Sequence, residues 1–184
     1  MESLPLVFVT SRAEKAQEAA RLGFPIERLD LDLPEPQALD PSEIVEAKAR
    51  AAYERIERPV LVEDSGLAVR AWGGFPGALV KWLEKSAGIA GLTRMLDPFP
   101  DRSATAVCAI AYCDGGDVVA VRGESHGRIA PGPRGAQGFG WDAIFIPDGS
   151  DLTFAEMRPE EKDRVSHRRR AWDAMGPKLR LERR

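Results

Sequence analysis

The stretch Pro59-Val60-Leu61-Val62-Glu63-Asp64-Ser65-Gly66-Leu67 decides the fold. Val60, Leu61 and Val62 form a short continuous apolar run, two of the three β-branched, which marks a strand covered on both faces. The run then meets two carboxylates and a hydroxyl. A buried strand ending in Glu63-Asp64-Ser65-Gly66 carries negative charge to the carboxyl edge of a sheet, the ligand-binding position of open α/β sheets. Gly66 permits a tight turn or a close approach there. A strand followed by an ordinary polar turn is the competing reading of the same residues.

Upstream, Leu6-Val7-Phe8-Val9 is a second strand, followed by Thr10-Ser11-Arg12-Ala13-Glu14-Lys15 and a helix to about Leu22. Thr10 or Ser11 caps this helix, which leaves Arg12 and Lys15 in its first turn. The macrodipole disfavours cations there unless an anion is bound. Free N–H groups with two cations suggest a phosphate site, and a solvated helix start is the alternative. Ile26 to Leu33 reads as a strand, followed by Glu35 between Pro34 and Pro36. Asp40-Pro41-Ser42-Glu43 opens a helix with N-cap, proline and acidic residue in order. Ile44, Ala47 and Ala51 form its apolar stripe, with Lys48 on the same face, where it either snorkels or serves a site.

Downstream, Leu67 to Ala71 continues the sheet beyond the turn. The loop Gly73 to Gly77 precedes an amphipathic run (Leu79, Trp82, Leu83) that leaves Lys81 on the exposed side, and a short helix covers Ile89 to Met95. Ser103 to Cys113 and Val118 to Gly127 pair as a hairpin around Asp114-Gly115-Gly116-Asp117, with Gly123 marking a bulge. Cys108 and Cys113 fall on opposite faces of that strand and cannot easily bond each other. With only two Cys and two His in the chain, a zinc site is not expected.

Phe139-Gly140-Trp141-Asp142 follows a glycine-rich loop and offers aromatic rings and close backbone approach to a flat ligand; aromatics simply joining the core is the alternative. Thr153-Phe154-Ala155-Glu156 fits a capping box for a helix through Lys162. Ser166 caps the last helix, on which Arg168 shares the inward stripe with Trp172, Met175 and Leu179, while Arg169 and Arg170 point away. An inward guanidinium needs an acceptor, either a core carboxylate or a bound phosphate or base. The tail from Arg180 to Arg184 is read as frayed and solvated.

The 184 residues suit one domain spanning 1–184. Hydrophobic residues make up 43% and charged residues 30%, an ordinary globular balance, and the net charge of -3 argues against nucleic-acid binding. No apolar run is long enough for a membrane span and no basic-then-apolar leader is visible, so a cytoplasmic location is expected. If the first half is a βαβαβ unit with parallel strands, right-handed crossovers bring Thr10 to Lys15, Glu35 and Glu63-Asp64-Ser65 to one edge. Cations beside carboxylates fit a hard divalent ion between protein and substrate phosphates, and hence metal-assisted attack on a nucleotide polyphosphate.

With these pieces in place, the chain resembles the non-canonical purine nucleoside triphosphate pyrophosphatases, also called inosine triphosphate pyrophosphatases. The resemblance runs from Val7 to Met175. It rests on Val7-Phe8-Val9-Thr10 with Lys15, Asp32-Leu33-Pro34-Glu35, Leu61 to Leu67, Gly74-Phe75-Pro76-Gly77 with Lys81-Trp82, Phe139 to Asp142, Ala155-Glu156-Met157, Glu161-Lys162 and Ser166-His167-Arg168. It implies an elongated α/β fold with a mixed sheet flanked by helices and two lobes around an active cleft. It also implies Mg²⁺-dependent hydrolysis of ITP, dITP and XTP to monophosphate and pyrophosphate by a cytoplasmic homodimer. Carried over by position, Asp64 is the proton acceptor and a metal ligand, and Glu35 is the other metal carboxylate. Thr10, Ser11, Arg12, Lys15, Lys48 and Ser65 hold the triphosphate. Phe139, Gly140, Trp141, Asp142, Lys162, His167 and Arg168 hold the base, and Lys81 contacts substrate. Arg12 stands where the family pattern has Asn. The related Maf-like pyrophosphatases, which prefer modified pyrimidine nucleotides, lack support from the Phe139 to Asp142 and Ser166 to Arg168 segments.

Overall fold

The computed structural model describes residues 6–182, with side chains described through Leu179. A seven-stranded mixed sheet is flanked by five α-helices. The strands are β1 (Leu6–Val9), β2 (Ile26–Leu29), β3 (Val60–Val69), β4 (Pro76–Gly77), β5 (Ser103–Cys113), β6 (Val119–Ile129) and β7 (Phe145–Pro147). The helices are α1 (Ala13–Arg21), α2 (Pro41–Ile56), α3 (Val80–Met95), α4 (Pro159–Val165) and α5 (His167–Glu182). The order is β2-β1-β3-β5-β6-β7, with β4 paired to β3. β2 and β3 both run parallel to β1, as the βαβαβ reading expects, and the remaining pairings are antiparallel.

Alternation along β3 builds the layers. Leu61 packs with Phe8, Cys108, Ile110, α1 and α5 on one face. Val60 and Val62 pack with Val7, Val9, Ala109, Cys113 and α2 on the other. Farther along, Leu67 and Val69 join Leu92, Phe145 and Phe154 in a third cluster. Cys108 and Cys113 are accordingly buried, free and on opposite faces.

Several expectations are corrected. β3 does not end at Glu63: it runs unbroken through Asp64 to Val69, because β5 pairs with it residue for residue over the whole length. A 3₁₀ turn over Arg70–Trp72 then stops the sheet short of Ala71. Gly66 serves a close approach rather than a turn, since a Cβ there would lie 2.6 Å from the Gly77 carbonyl carbon. β2 ends at Leu29, because its partner β1 has only four residues, and Leu33 instead packs under α2. On α2 Ile44 is buried and Ala51 half-buried, as expected, but Ala47 is exposed, the rest of the buried stripe is Val45, Ala49 and Ala52, and Lys48 lies at its edge.

Neither Thr10 nor Ser11 is the N-cap of α1; Arg12 is, and it offers no capping oxygen, while Thr10 Oγ1 accepts the Arg12 N–H at 3.2 Å. α3 joins the two anticipated helices across Gly88, which is non-helical (φ 70°), and Trp82 is 58% exposed rather than part of a buried stripe. Gly123 sits in regular register with Cys108, so it marks no bulge; a side chain there would strike the α5 backbone at Ala171 N and His167 O. The Thr153 box closes only a turn, through the Thr153 N–H donating to Glu156 at 2.8 Å, because the Thr153 hydroxyl donates to the Arg134 carbonyl; α4 begins later at Pro159. Asp40 caps α2 and Ser166 Oγ accepts the Arg169 N–H, as expected. α5 continues to Glu182, and the tail side chains from Arg180 lie outside the described residues.

Candidate active site

A cavity of about 230 Å³ opens where the carboxyl end of β1, the loop at Glu35, the middle of β3 and the start of α3 meet. Every site residue expected from sequence borders it except Lys162, which lines an adjoining cavity of about 160 Å³ behind Phe139.

One end is built for anions. The Thr10-Ser11-Arg12 loop is held by Arg28 of β2, whose Nε donates to the Thr10 carbonyl at 3.1 Å and whose Nη2 donates to the Ser11 carbonyl at 3.0 Å. Because Arg12 supplies no cap, no first-turn N–H of α1 is satisfied by a side-chain cap, and the positive end of the helix faces the cavity loop. Arg12 forms no ion pair among the described residues, and its guanidinium lies 5.9 Å from the centre of the Phe139 ring. Lys81 is exposed, as its place opposite the apolar run predicts, and borders the cavity.

The carboxylates stand opposite. Lys48 Nζ donates to Glu35 at 2.6 Å, so its ammonium pairs with a carboxylate that borders the cavity. Burial pushes the Asp64 pKa above the ordinary aspartate value, outweighing the pull of Lys15 and Lys48, and neighbouring Glu35 adds to the rise. Burial also acts on Glu35, but Lys48 overrides it and the Glu35 pKa is lowered. Ser65 borders the cavity beside Asp64.

The other end holds aromatic rings over a buried ionic floor. Phe139 lies with its ring centre 5.2 Å from Lys162 Nζ and 5.4 Å from the Arg168 guanidinium. Its backbone N–H donates to Asp142 at 2.8 Å, and the 3₁₀ turn Gly140–Ala143 carries Trp141 inward. Trp141 and Phe154 flank His167 at 5.2 and 6.0 Å, and both His167 ring nitrogens lack a partner among the described residues. Burial, with Arg168 and Lys162 nearby, pushes the His167 pKa well below its ordinary value, so the ring is neutral.

Below the rings, Arg168 Nε and Nη2 donate to Glu63 at 2.9–3.1 Å, and Nη1 donates to Glu18. Lys162 Nζ donates to Glu18 at 2.8 Å and to Asp142 at 2.6 Å, and Lys15 pairs with Glu63 at 3.3 Å. Burial raises the Glu18 pKa, but Arg168 and Lys162 reverse this and lower it to about 2. The acceptor of the inward arginine is thus a pair of core carboxylates.

Glu18 and the network role of Glu63 were not anticipated. Glu18 follows Lys15 by three residues and precedes buried Ala19, so helical spacing alone put it on the inward face of α1. The pairing of Glu63 with Arg168 spans 105 residues, and no local pattern carries it.

An α/β sheet whose cleft sets helix-borne cations and two carboxylates at one end and aromatic rings over cations at the other defines a class: a binder of ligands that are anionic at one end and flat at the other. The chain belongs to the Ham1 family, whose model matches residues 6–178. It is 43% identical over 173 residues to the dITP/XTP pyrophosphatase of Methanopyrus kandleri, covering 91% of this chain and 92% of the relative. It is also 43% identical over 178 residues to the inosine triphosphate pyrophosphatase of Yarrowia lipolytica, covering 94% of both chains. Among solved structures, the Ham1 protein of Staphylococcus aureus superposes with a TM-score of 0.82 at 27% identity, covering 96% of this chain and 98% of the other. The HAM1 protein of Coxiella burnetii gives 0.80 at 28% identity, covering 97% and 100%.

Proposed function

We propose that the protein hydrolyses the non-canonical purine nucleoside triphosphates ITP, dITP and XTP to monophosphate and pyrophosphate, and so removes them from the nucleotide pool. The observation that carries this reading is the polarity of one cleft, with cations and carboxylates at one end and Phe139, Trp141 and His167 beside Arg168 at the other. Relatives that match nearly the whole chain are named for this activity.

The uncapped start of α1, with Arg12 and Lys15, and with Lys48, Lys81 and Ser65 around the cleft, binds the triphosphate. Asp64 takes the proton from the attacking water, a role that suits a shielded carboxylate facing the phosphate cations. The donor set fits Mg²⁺: Glu35 and Asp64 offer hard carboxylate oxygens, and one or two of these plus substrate phosphates is this ion's habit. Bound there, Mg²⁺ would supply Lewis-acid charge to the phosphate oxygens. Phe139 stacks on the purine, Trp141 and His167 bound its pocket, with Gly140 giving room and Asp142 holding Lys162. Donors from Lys162 and Arg168 favour a 6-oxo over a 6-amino purine. We further propose a cytoplasmic homodimer, a reading supported by family resemblance and by exposed Phe75, Trp82, Met95 and Phe99; light scattering of the purified protein at twice the monomer mass is expected.

A nucleotide panel with Mg²⁺ tests the function. Pyrophosphate should be the first product, with ITP preferred over ATP by roughly 5- to 150-fold, the equivalent of one unsatisfied polar group at about 1–3 kcal/mol. Orthophosphate as first product, or equal rates on ATP and ITP, would overturn it.

A further inference from the structure

Glu63 and Asp64 are neighbours in the chain and strangers in the fold. Alternation along β3 sends Asp64 to the α2 side, with Lys48 and Glu35, and Glu63 to the side of α1 and α5. There Glu63 is 1% exposed, and its two oxygens receive Nε and Nη2 of Arg168 together with Lys15 Nζ. Both of its oxygens face cations of the protein, which disfavours a metal ion beside it.

Resting on the pyrophosphatase reading above, we propose that Glu63 is a positioning residue for base selection, fixing Arg168 of the ring pocket against Lys15 of the phosphate end. An arginine carries five N–H groups in a rigid fork. Glu63 takes Nε–H and one on Nη2, and Glu18 takes one on Nη1, which leaves two aimed by the clamp. Those two can discriminate an oxo from an amino edge only while the plane of the guanidinium is held. Lys15 leaves the first turn of α1 and ends 3.3 Å from the same carboxylate, so one group sets the spacing between both ends of the substrate. The surrounding charges balance, with Glu18, Glu63 and Asp142 against Lys15, Lys162 and Arg168. Replacing Glu63 by an amide puts an NH₂ against arginine donors and leaves one buried cation uncompensated, so Arg168 must turn.

The test compares wild type with Glu63→Gln and Glu63→Asp, measuring kcat/KM for ITP and ATP across a Mg²⁺ titration and, without turnover, calorimetric binding of IMP against AMP. In Glu63→Gln the ITP-to-ATP ratio and the IMP-to-AMP ratio should both fall at least about tenfold, with the Mg²⁺ half-saturation unchanged. Glu63→Asp keeps the charge, shortens its reach and should lose part of the discrimination; it carries the test if Glu63→Gln does not fold. Unchanged ratios in a folded variant would leave Glu63 a structural carboxylate only, and a raised Mg²⁺ requirement with intact ratios would make it a metal ligand; either overturns the proposal. Failure of the wild type to cleave ITP would instead sink the proposed function, while the mononucleotide binding arm would still judge Glu63.

Discussion

Asp64, Glu35 and Arg12 carry separable predictions. Asp64→Asn preserves shape and removes both charge and basicity, so kcat on ITP should fall about 10²- to 10⁴-fold with the melting temperature nearly unchanged. Glu35→Gln should act through Mg²⁺, raising the concentration needed for half-maximal rate, with much of the rate recovered at saturating metal. A variant at Asp64 that turned over normally would remove it from the proton-acceptor role. Arg12 lies beside the Phe139 ring and has no ion pair among the described residues, which suits the phosphate contact proposed for it. Arg12→Ala should raise KM for ITP roughly 5- to 20-fold and lower kcat less, as loss of a charge-assisted hydrogen bond of about 1.5–3 kcal/mol offset in part by solvent requires. The effect should shrink as salt is added; an unchanged KM at low salt would make the arginine a bystander. These residues stood out in sequence because local rules put chemistry where an apolar run meets charge: Arg12 opens α1, Glu35 lies in the loop after β2, and Asp64 follows the apolar start of β3, although that strand runs on past it. Glu18 and Glu63 were not legible as the floor of the ring pocket, because their partners are 144 and 105 residues away.

At the scale of elements, local pattern found the long strands, the hairpin and the capped start of α2, but it read Gly73 to Gly77 as a loop where Pro76–Gly77 pairs with β3 as β4, and it erred where a neighbour set the limit. β2 was cut to the length of β1, and β3 was carried past its polar centre by β5. Gly123 shows the same cause: the sequence marks a glycine in a strand, but only the packed α5 explains it. Gly123→Ala should therefore destabilise the protein by about 1–3 kcal/mol, the usual cost of overpacking, read as a lower midpoint in urea. Because the obstruction includes the His167 carbonyl, the same change should weaken IMP binding; a variant as stable as wild type would mean that α5 can slide outward without penalty.

For the whole molecule, the buried charges fix how stability responds to acid. The Glu18 pKa is depressed to about 2 from an ordinary 4.5, so the unfolded chain binds a proton more readily than the folded one. Its contribution is complete above about 4.5 and disappears as pH falls towards 2. Neutral His167, whose pKa also lies below its ordinary 6.5, adds a loss that begins as pH drops under that value. Glu18 and His167 should thus lower the melting temperature as pH falls below 6.5, while Asp64 and Asp142, whose pKa values burial raises, work in the opposite direction as they protonate; Glu18→Gln isolates the first contribution and should flatten the part of the curve below 4.5 while lowering stability at neutral pH. A Glu18→Gln curve as steep as that of the wild type below 4.5 would contradict the sign. Added salt should change these temperatures little, because charges this deeply buried are poorly screened.

The two unpaired thiols of β5 give the molecule a pair of internal clocks. Cys108 faces the layer of α1 and α5, and Cys113 faces the layer of α2. Neither can meet a reagent until its own helical cover lifts, and burial pushes the Cys108 thiol pKa well up, which makes it slower still to react when closed. The rates at which each is alkylated, measured by mass after tryptic digestion with and without IMP, would therefore time the opening of the two helical coats independently. A nucleotide that engages Arg168 and His167 on α5 should slow Cys108 more than Cys113.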